Sequence, residues 1–189
     1  QLTKHGGFGM MLYYTILSNM LVMFFMGDMV WRMVRGRSTQ TQDYLRMKGA
    51  VTMSIMITCV IYHFMLAPLA TPEKFYRLEN FLCHYIVPLM FFFDTLVIDK
   101  AKQYRKLDPF FWTSIPLAYM LFALLNGLVL KWPIPGAKDS PFAYFFINVN
   151  KYGWAFVGKW VVIIFIAYLL AGYVLYGIKN IKRKSAISE

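Results

Sequence analysis

Residues 154–178 read WAFVGKWVVIIFIAYLLAGYVLYGI, 25 residues with one charged side chain, Lys159. A helix of that length rises roughly 37 Å at about 1.5 Å per residue, enough to cross the ~30 Å hydrocarbon core of a bilayer. Four further stretches have the same character: Phe8–Trp31, Gly49–Ala70, Asn80–Ile98 and Phe110–Leu130. The third is the shortest and is interrupted by His84, Pro88 and Asp94. None has the short apolar core and small-residue cleavage site of a signal peptide. The expected fold is an all-α polytopic transmembrane bundle, a single integral membrane domain with five spans.

Composition excludes the other classes. The chain has 189 residues, 59% hydrophobic and 15% charged, whereas a soluble domain is about 45–50% apolar and about 25% charged. Disordered, collagen-like and disulfide-scaffold readings fall on the same figures. Cys59 and Cys83 both lie inside apolar runs, which suits buried thiols and not an extracellular staple.

A net charge of +11 invites a nucleic-acid reading, but the basic residues do not form one surface. They cluster between spans: Arg32, Arg35, Arg37, Arg46 and Lys48; then Lys100, Lys102, Arg105 and Lys106; then Lys179, Lys182, Arg183 and Lys184. These segments hold most of the 20 lysines and arginines, and alternate crossing puts all three on one side. Lys4, Lys74, Arg77, Lys131, Lys138 and Lys151 are left for the other side. Basic loops stay in the cytoplasm, so the expected C-terminus is cytoplasmic and Gln1 lies outside. An outward N-terminus needs translocation, so the expected parent protein has six spans, one of them preceding Gln1. The Trp132-Pro133-Ile134-Pro135-Gly136 opening of the one long loop is turn chemistry, and the aromatic stretch Ser140–Tyr152 is expected as a short interfacial helix.

With orientation assigned, polar residues acquire depth. Thr15 is about seven residues in from the outer end of its span, roughly 10 Å. His63, His84, Asn126 and Lys159 fall on four other spans within about one helical turn of that level. Ionisable groups at such depth cost about 2.5–3.5 kcal/mol on insertion scales and normally face a bundle interior or a cavity. Thr15, Ser18 and Asn19 share one face at i, i+3 and i+4, and Asn80 stands four residues before His84, placed to orient its ring. A hydroxyl beside an imidazole is the minimal apparatus of acyl transfer: the ring takes the hydroxyl proton and returns it to the leaving group. Asn19, Asn126 or His63 would then serve as oxyanion donors.

Bland readings stand beside that one. An intramembrane Thr commonly bonds its own i−4 carbonyl, a lone His bridges helices, Asn residues glue helices together, and Lys159 snorkels to the surface. Asp28 has a partner at i+4 in Arg32. Asp94 sits below the layer with nothing basic at helical spacing, which points to a hydrogen bond inside the bundle. No metal or cofactor is expected.

The string Tyr13-Tyr14-Thr15-Ile16-Leu17-Ser18-Asn19 resembles the "FTxxSN" signature of the bacterial Pr6Pr family of integral membrane proteins. Asn80-Phe81-Leu82-Cys83-His84-Tyr85-Ile86-Val87-Pro88, followed by Asp94, is similar to that family's "HYxxP…D" segment. Pro116-Leu117-Ala118-Tyr119 and the Trp-Pro-rich loop match its fourth span and following loop. That family is in turn similar to the androgen-induced and androgen-dependent TFPI-regulating proteins, multipass threonine hydrolases of fatty acid esters of hydroxy fatty acids. The resemblance implies a bacterial plasma-membrane hydrolase of a lipid or fatty-acid ester, with Thr15 as nucleophile and His84 as base. It also implies membrane lipid or a hydrophobic small molecule as partner. A non-catalytic lipid-binding or small-solute transport protein using the same polar pocket is the alternative, and a structural membrane subunit is a third reading.

Overall fold

The computed structural model describes residues 8–137 and 140–181. Lys4, Lys138, Lys182, Arg183 and Lys184, which enter the charge reading above, lie outside the described residues. Among those described there is no strand, and five helices are long and apolar enough to cross a membrane. They are α1 (Tyr14–Val34), α2 (Gln42–Leu69), α3 (Leu78–Val97), α4 (Asp108–Leu130) and α5 (Val149–Asn180).

The second helix is the axis of the bundle. In its most apolar stretch 39% of residues are buried, against 17–22% in the other four. Outward faces carry exposed Phe24, Phe64, Met90, Phe93, Leu121 and Leu170, the surface that a helix presents to hydrocarbon instead of water.

The ends of the helices differ from the expected ones for physical reasons. The first span starts later, because Gly9–Leu12 forms a 3₁₀ turn and Tyr13 is extended at φ −90°, ψ 128°. Helix α2 begins seven residues before the expected Gly49, since Arg46 and Lys48 find carboxylates inside the protein. Arg46 grips the buried Asp108 through Nε and Nη2 at 2.7–3.0 Å, and Lys48, 1% exposed, lies between Asp94 and Asp99. Lys179, assigned above to a basic tail, is also buried; its Nζ donates to the carbonyls of Thr95 and Asp99 at 2.9 and 2.6 Å. Lys48 and Lys179 are therefore interior bolts, not members of a solvated basic cluster. Asp94, expected to find a partner inside the bundle, pairs with Lys48 of the neighbouring helix. Asp28 does bond Arg32 at 2.7 Å.

The stretch Ser140–Tyr152 is not an interfacial helix. Before α5 begins at Val149, Phe145–Ile147 makes a 3₁₀ turn, and Phe142, Tyr144, Phe146 and Ile147 are buried in one core cluster with Ala123 and Val157. Asn126 directs this fold-back: its Nδ2 donates to Pro141 O at 3.0 Å and its Oδ1 accepts from Trp132 N at 3.1 Å. Gly127 clears the space, because a Cβ there would lie 2.0 Å from the Phe142 ring. The chain then enters α5 through Asn148, whose Oδ1 caps Lys151 N at 3.1 Å, and bends at Gly153 (φ 78°).

Candidate functional site

The first turn of α1 is held from three directions. Tyr13 Oη donates to Pro135 O at 2.7 Å, Tyr14 Oη to Ser54 O of α2 at 3.1 Å, and Tyr119 Oη of α4 to Leu12 O at 2.8 Å. Thr15 is the second residue of this helix. A helix start leaves its first N–H groups without intrahelical partners, and Thr15 N–H points at Tyr144 Oη, 3.4 Å away.

His84 comes from a widened turn of α3. Leu82–Ile86 is a π-helical segment in which Val87 N–H bonds Leu82 O, five residues back; such bulges collect at functional sites. There the His84 Nδ1 lies 3.0 Å from its own helix carbonyl, Asn80 O. A carbonyl only accepts, so Nδ1 carries a proton, and in the neutral ring Nε2 then holds the free lone pair. That Nε2 is 3.3 Å from Thr15 Oγ1. Tyr62, at the start of a second π segment (Tyr62–Leu66), stacks on the imidazole with centroids 3.9 Å apart and planes 26° apart.

The other expected site residues divide into neighbours and absentees. Asn80 orients His84, but through its backbone carbonyl; its side chain donates instead to Tyr62 Oη and to Phe75 O. Ser18 Oγ pairs with Thr58 Oγ1 at 2.8 Å, joining α1 to α2 directly behind Thr15. Asn19 Nδ2 donates to Thr15 O at 2.8 Å and Cys83 O at 3.1 Å, tying the Thr15 helix to the His84 helix. Its amide is committed to those carbonyls and is not aimed at a substrate. His63 is exposed, with Nδ1 on Tyr85 Oη at 3.2 Å, and does not meet the Thr15–His84 pair. Asn126 anchors the loop, and Asp94 belongs to the Lys48 cluster. Lys159 is exposed. The shared depth of these residues thus reflects several separate contacts, of which one brings a hydroxyl to an imidazole.

Two residues that the sequence reading passed over complete the site. Tyr62 carries the imidazole face. Tyr144 is buried, stacked on Phe146 at an interplanar angle of 6°, and set against the Thr15 backbone and side chain. Burial raises its phenol pKa above the ordinary value, so the group keeps its proton. Its aromatic neighbourhood was visible in the sequence; the fold-back that inserts it was not.

Thr15 forms part of the wall of an apolar pocket between α2, α4 and α5, a half-open cavity of about 110 Å³. Ile57, Leu117, Met120, Ile164 and Phe165 supply much of its lining. Along α4 the pocket runs from Thr113 to Met120, a depth of roughly 10 Å. Among the described residues no group of three or more His, Cys, Asp or Glu side chains comes together to hold a metal ion. Comparison of the chain with family models, with curated proteins and with solved structures finds no match.

Proposed function

We propose that the protein is an intramembrane hydrolase of a lipid or fatty-acid ester, with Thr15 as nucleophile and His84 as general base and acid. One observation carries the reading: an imidazole, held by Asn80 O so that its neutral form leaves Nε2 free, faces a threonine hydroxyl in the wall of an apolar pocket. A pocket of this kind suits an acyl chain. The positive-inside distribution of loop charges assigns the site to the outer leaflet half, with a cytoplasmic C-terminus, and the resemblance noted in the sequence assigns a bacterial plasma membrane.

In the proposed reaction Thr15 Oγ attacks the acyl carbonyl carbon while its proton passes to His84 Nε2. The carbonyl electron pair moves onto oxygen. Collapse of that intermediate breaks the ester C–O bond, and His84 hands its proton to the departing alkoxide. Water then attacks the acyl-threonine, again losing a proton to His84; the acyl C–Oγ bond breaks, His84 returns that proton to Thr15 Oγ, and the carboxylic acid and free Thr15 are released.

Labelling with a fluorophosphonate tests this, because the probe joins its phosphorus to an activated hydroxyl and expels fluoride. Purified protein in detergent micelles is expected to label, and Thr15→Ala and His84→Ala to abolish labelling without lowering the melting temperature. A folded wild type that stays unlabelled by a probe that partitions into the micelle overturns the hydrolase reading. The same pocket is then a lipid-binding or small-solute transport site, and a silent Thr15→Val points to a structural subunit.

A further inference from the structure

We infer that Tyr144 is a catalytic residue of the proposed reaction, its phenol O–H donating to the oxyanion that forms when Thr15 attacks the ester carbonyl. The inference rests on the hydrolase reading of the Thr15–His84 pair. Four observations lead to it.

First, the reaction needs a hydrogen-bond donor on the side of Thr15 away from His84, and the amide side chains near that level are already engaged. Asn19 bonds Thr15 O and Cys83 O, and Asn126 bonds the loop. His63 faces Tyr85. Second, the Tyr144 hydroxyl is against Thr15: it accepts from Thr15 N–H at 3.4 Å and also meets the Thr15 side chain, so its O–H lies at the oxygen that attacks, within reach of a carbonyl bound there. Third, Tyr144 and Thr15 line the same pocket, so a carbonyl bound there meets both. Fourth, the ring is fixed by packing. It stacks on Phe146, meets Tyr13 and Tyr119 edge-on at 6.1 and 6.4 Å, and sits on a loop pinned by Asn126. A donor held before charge develops needs no reorganisation when the oxyanion appears, and in a water-poor site such a bond counts for more than in water. Thr15 itself lies at the start of a 21-residue helix, whose partial positive end favours negative charge at the same place.

The chemistry added by Tyr144 is hydrogen bonding alone. Its proton stays on the phenol oxygen throughout, and no bond beyond those of the hydrolytic cycle is made or broken.

The test uses the full chain in dodecyl maltoside micelles with p-nitrophenyl octanoate as probe, comparing wild type, Thr15→Val and Tyr144→Phe. Tyr144→Phe keeps the ring and its stacking. It is expected to lower kcat by about 10²–10³-fold, the usual effect of deleting one oxyanion donor, with KM within roughly threefold and the melting temperature retained. Inhibition by an octyl trifluoromethyl ketone, which mimics the tetrahedral adduct, is expected to weaken by a similar factor. Wild-type kcat and wild-type ketone inhibition in Tyr144→Phe, with hydrolysis lost in Thr15→Val, overturn the Tyr144 assignment and leave the hydrolase reading intact. Hydrolysis that persists in Thr15→Val, or is absent from the wild type, overturns both. If Tyr144→Phe lowers the melting temperature, 3-fluorotyrosine placed at position 144 reads the same bond. A kcat that changes with the more acidic phenol supports the assignment, and an unchanged kcat removes it.

Discussion

Asn80 O and His84 Nδ1 are 3.0 Å apart along one helix, and that contact determines which imidazole nitrogen faces Thr15. The π-helical turn of α3 brings the two within reach. The base is thereby oriented by backbone, a partner that cannot titrate and that side-chain substitution leaves in place. Asn80→Ala is therefore expected to leave fluorophosphonate labelling within a few-fold of wild type. A small loss of thermal stability should follow from the bonds to Tyr62 and Phe75. Complete loss of labelling in a folded Asn80→Ala protein would contradict the tautomer argument.

The nucleophile has a graded set of replacements. Thr15→Ser keeps the hydroxyl and should retain measurable p-nitrophenyl ester hydrolysis. Thr15→Val keeps the shape and removes the oxygen, and should lose at least roughly a thousandfold in kcat. Equal rates for the two variants would place the chemistry elsewhere.

The pocket sets acyl length. Leu117 lines it on the α4 side, and Leu117→Trp should shorten the space available to the chain. Rates on p-nitrophenyl acetate should change little, while kcat/KM for the octanoate should fall roughly tenfold or more, the range expected for steric loss in an apolar pocket. A parallel drop for both esters would mean that the chain does not extend past Leu117.

At the other end of the bundle, Lys48→Met should be among the most destabilising single changes. It removes the ion-pair partner of the buried Asp99 carboxyl, leaving only the more distant pull of Lys179, a loss of about 3–5 kcal/mol for a broken interior pair. The pH dependence has a definite sign. Burial already raises the Asp99 pKa above the usual carboxylate value, against the pull of Lys48, and removing Lys48 raises it further. A carboxyl whose folded pKa exceeds its unfolded value favours the folded state when protonated, and that advantage is lost as pH rises through the folded pKa. The melting-temperature deficit of Lys48→Met should therefore be largest at neutral pH and shrink as pH falls towards 4. A deficit independent of pH would show that packing, not charge, dominates.

Gly127→Ala tests the loop. The added methyl would lie 2.0 Å from Phe142, so the loop must move and carry Tyr144 with it. Faster hydrogen exchange over residues 140–148 and a reduced kcat should appear together. Faster exchange with unchanged kcat would separate loop packing from catalysis.

Hydrophobic run length determines the five-helix architecture by itself, because a bilayer imposes a minimum helix length and each span satisfies its own backbone internally. The five helices, the Asp28–Arg32 pair, the common face of Thr15, Ser18 and Asn19, and the candidacy of Thr15 and His84 are all readable from spacing along single helices. Tertiary structure decides what spacing along one helix does not encode. Lys48 and Lys179 look like surface charge until carboxylates and carbonyls from α3 and the loop after it surround them. Tyr62 stacks on His84 while the adjacent His63 turns to Tyr85, a choice between neighbours that is made by the packing of α2 against α3. Tyr144 lies 129 residues from Thr15, and only the fold-back directed by Asn126 and Gly127 inserts it beside that hydroxyl. Period and composition report which residues share a helix face. Contacts across a bundle also depend on local widening, on glycine clearance and on which buried charge finds which partner, and these are settled when the helices pack.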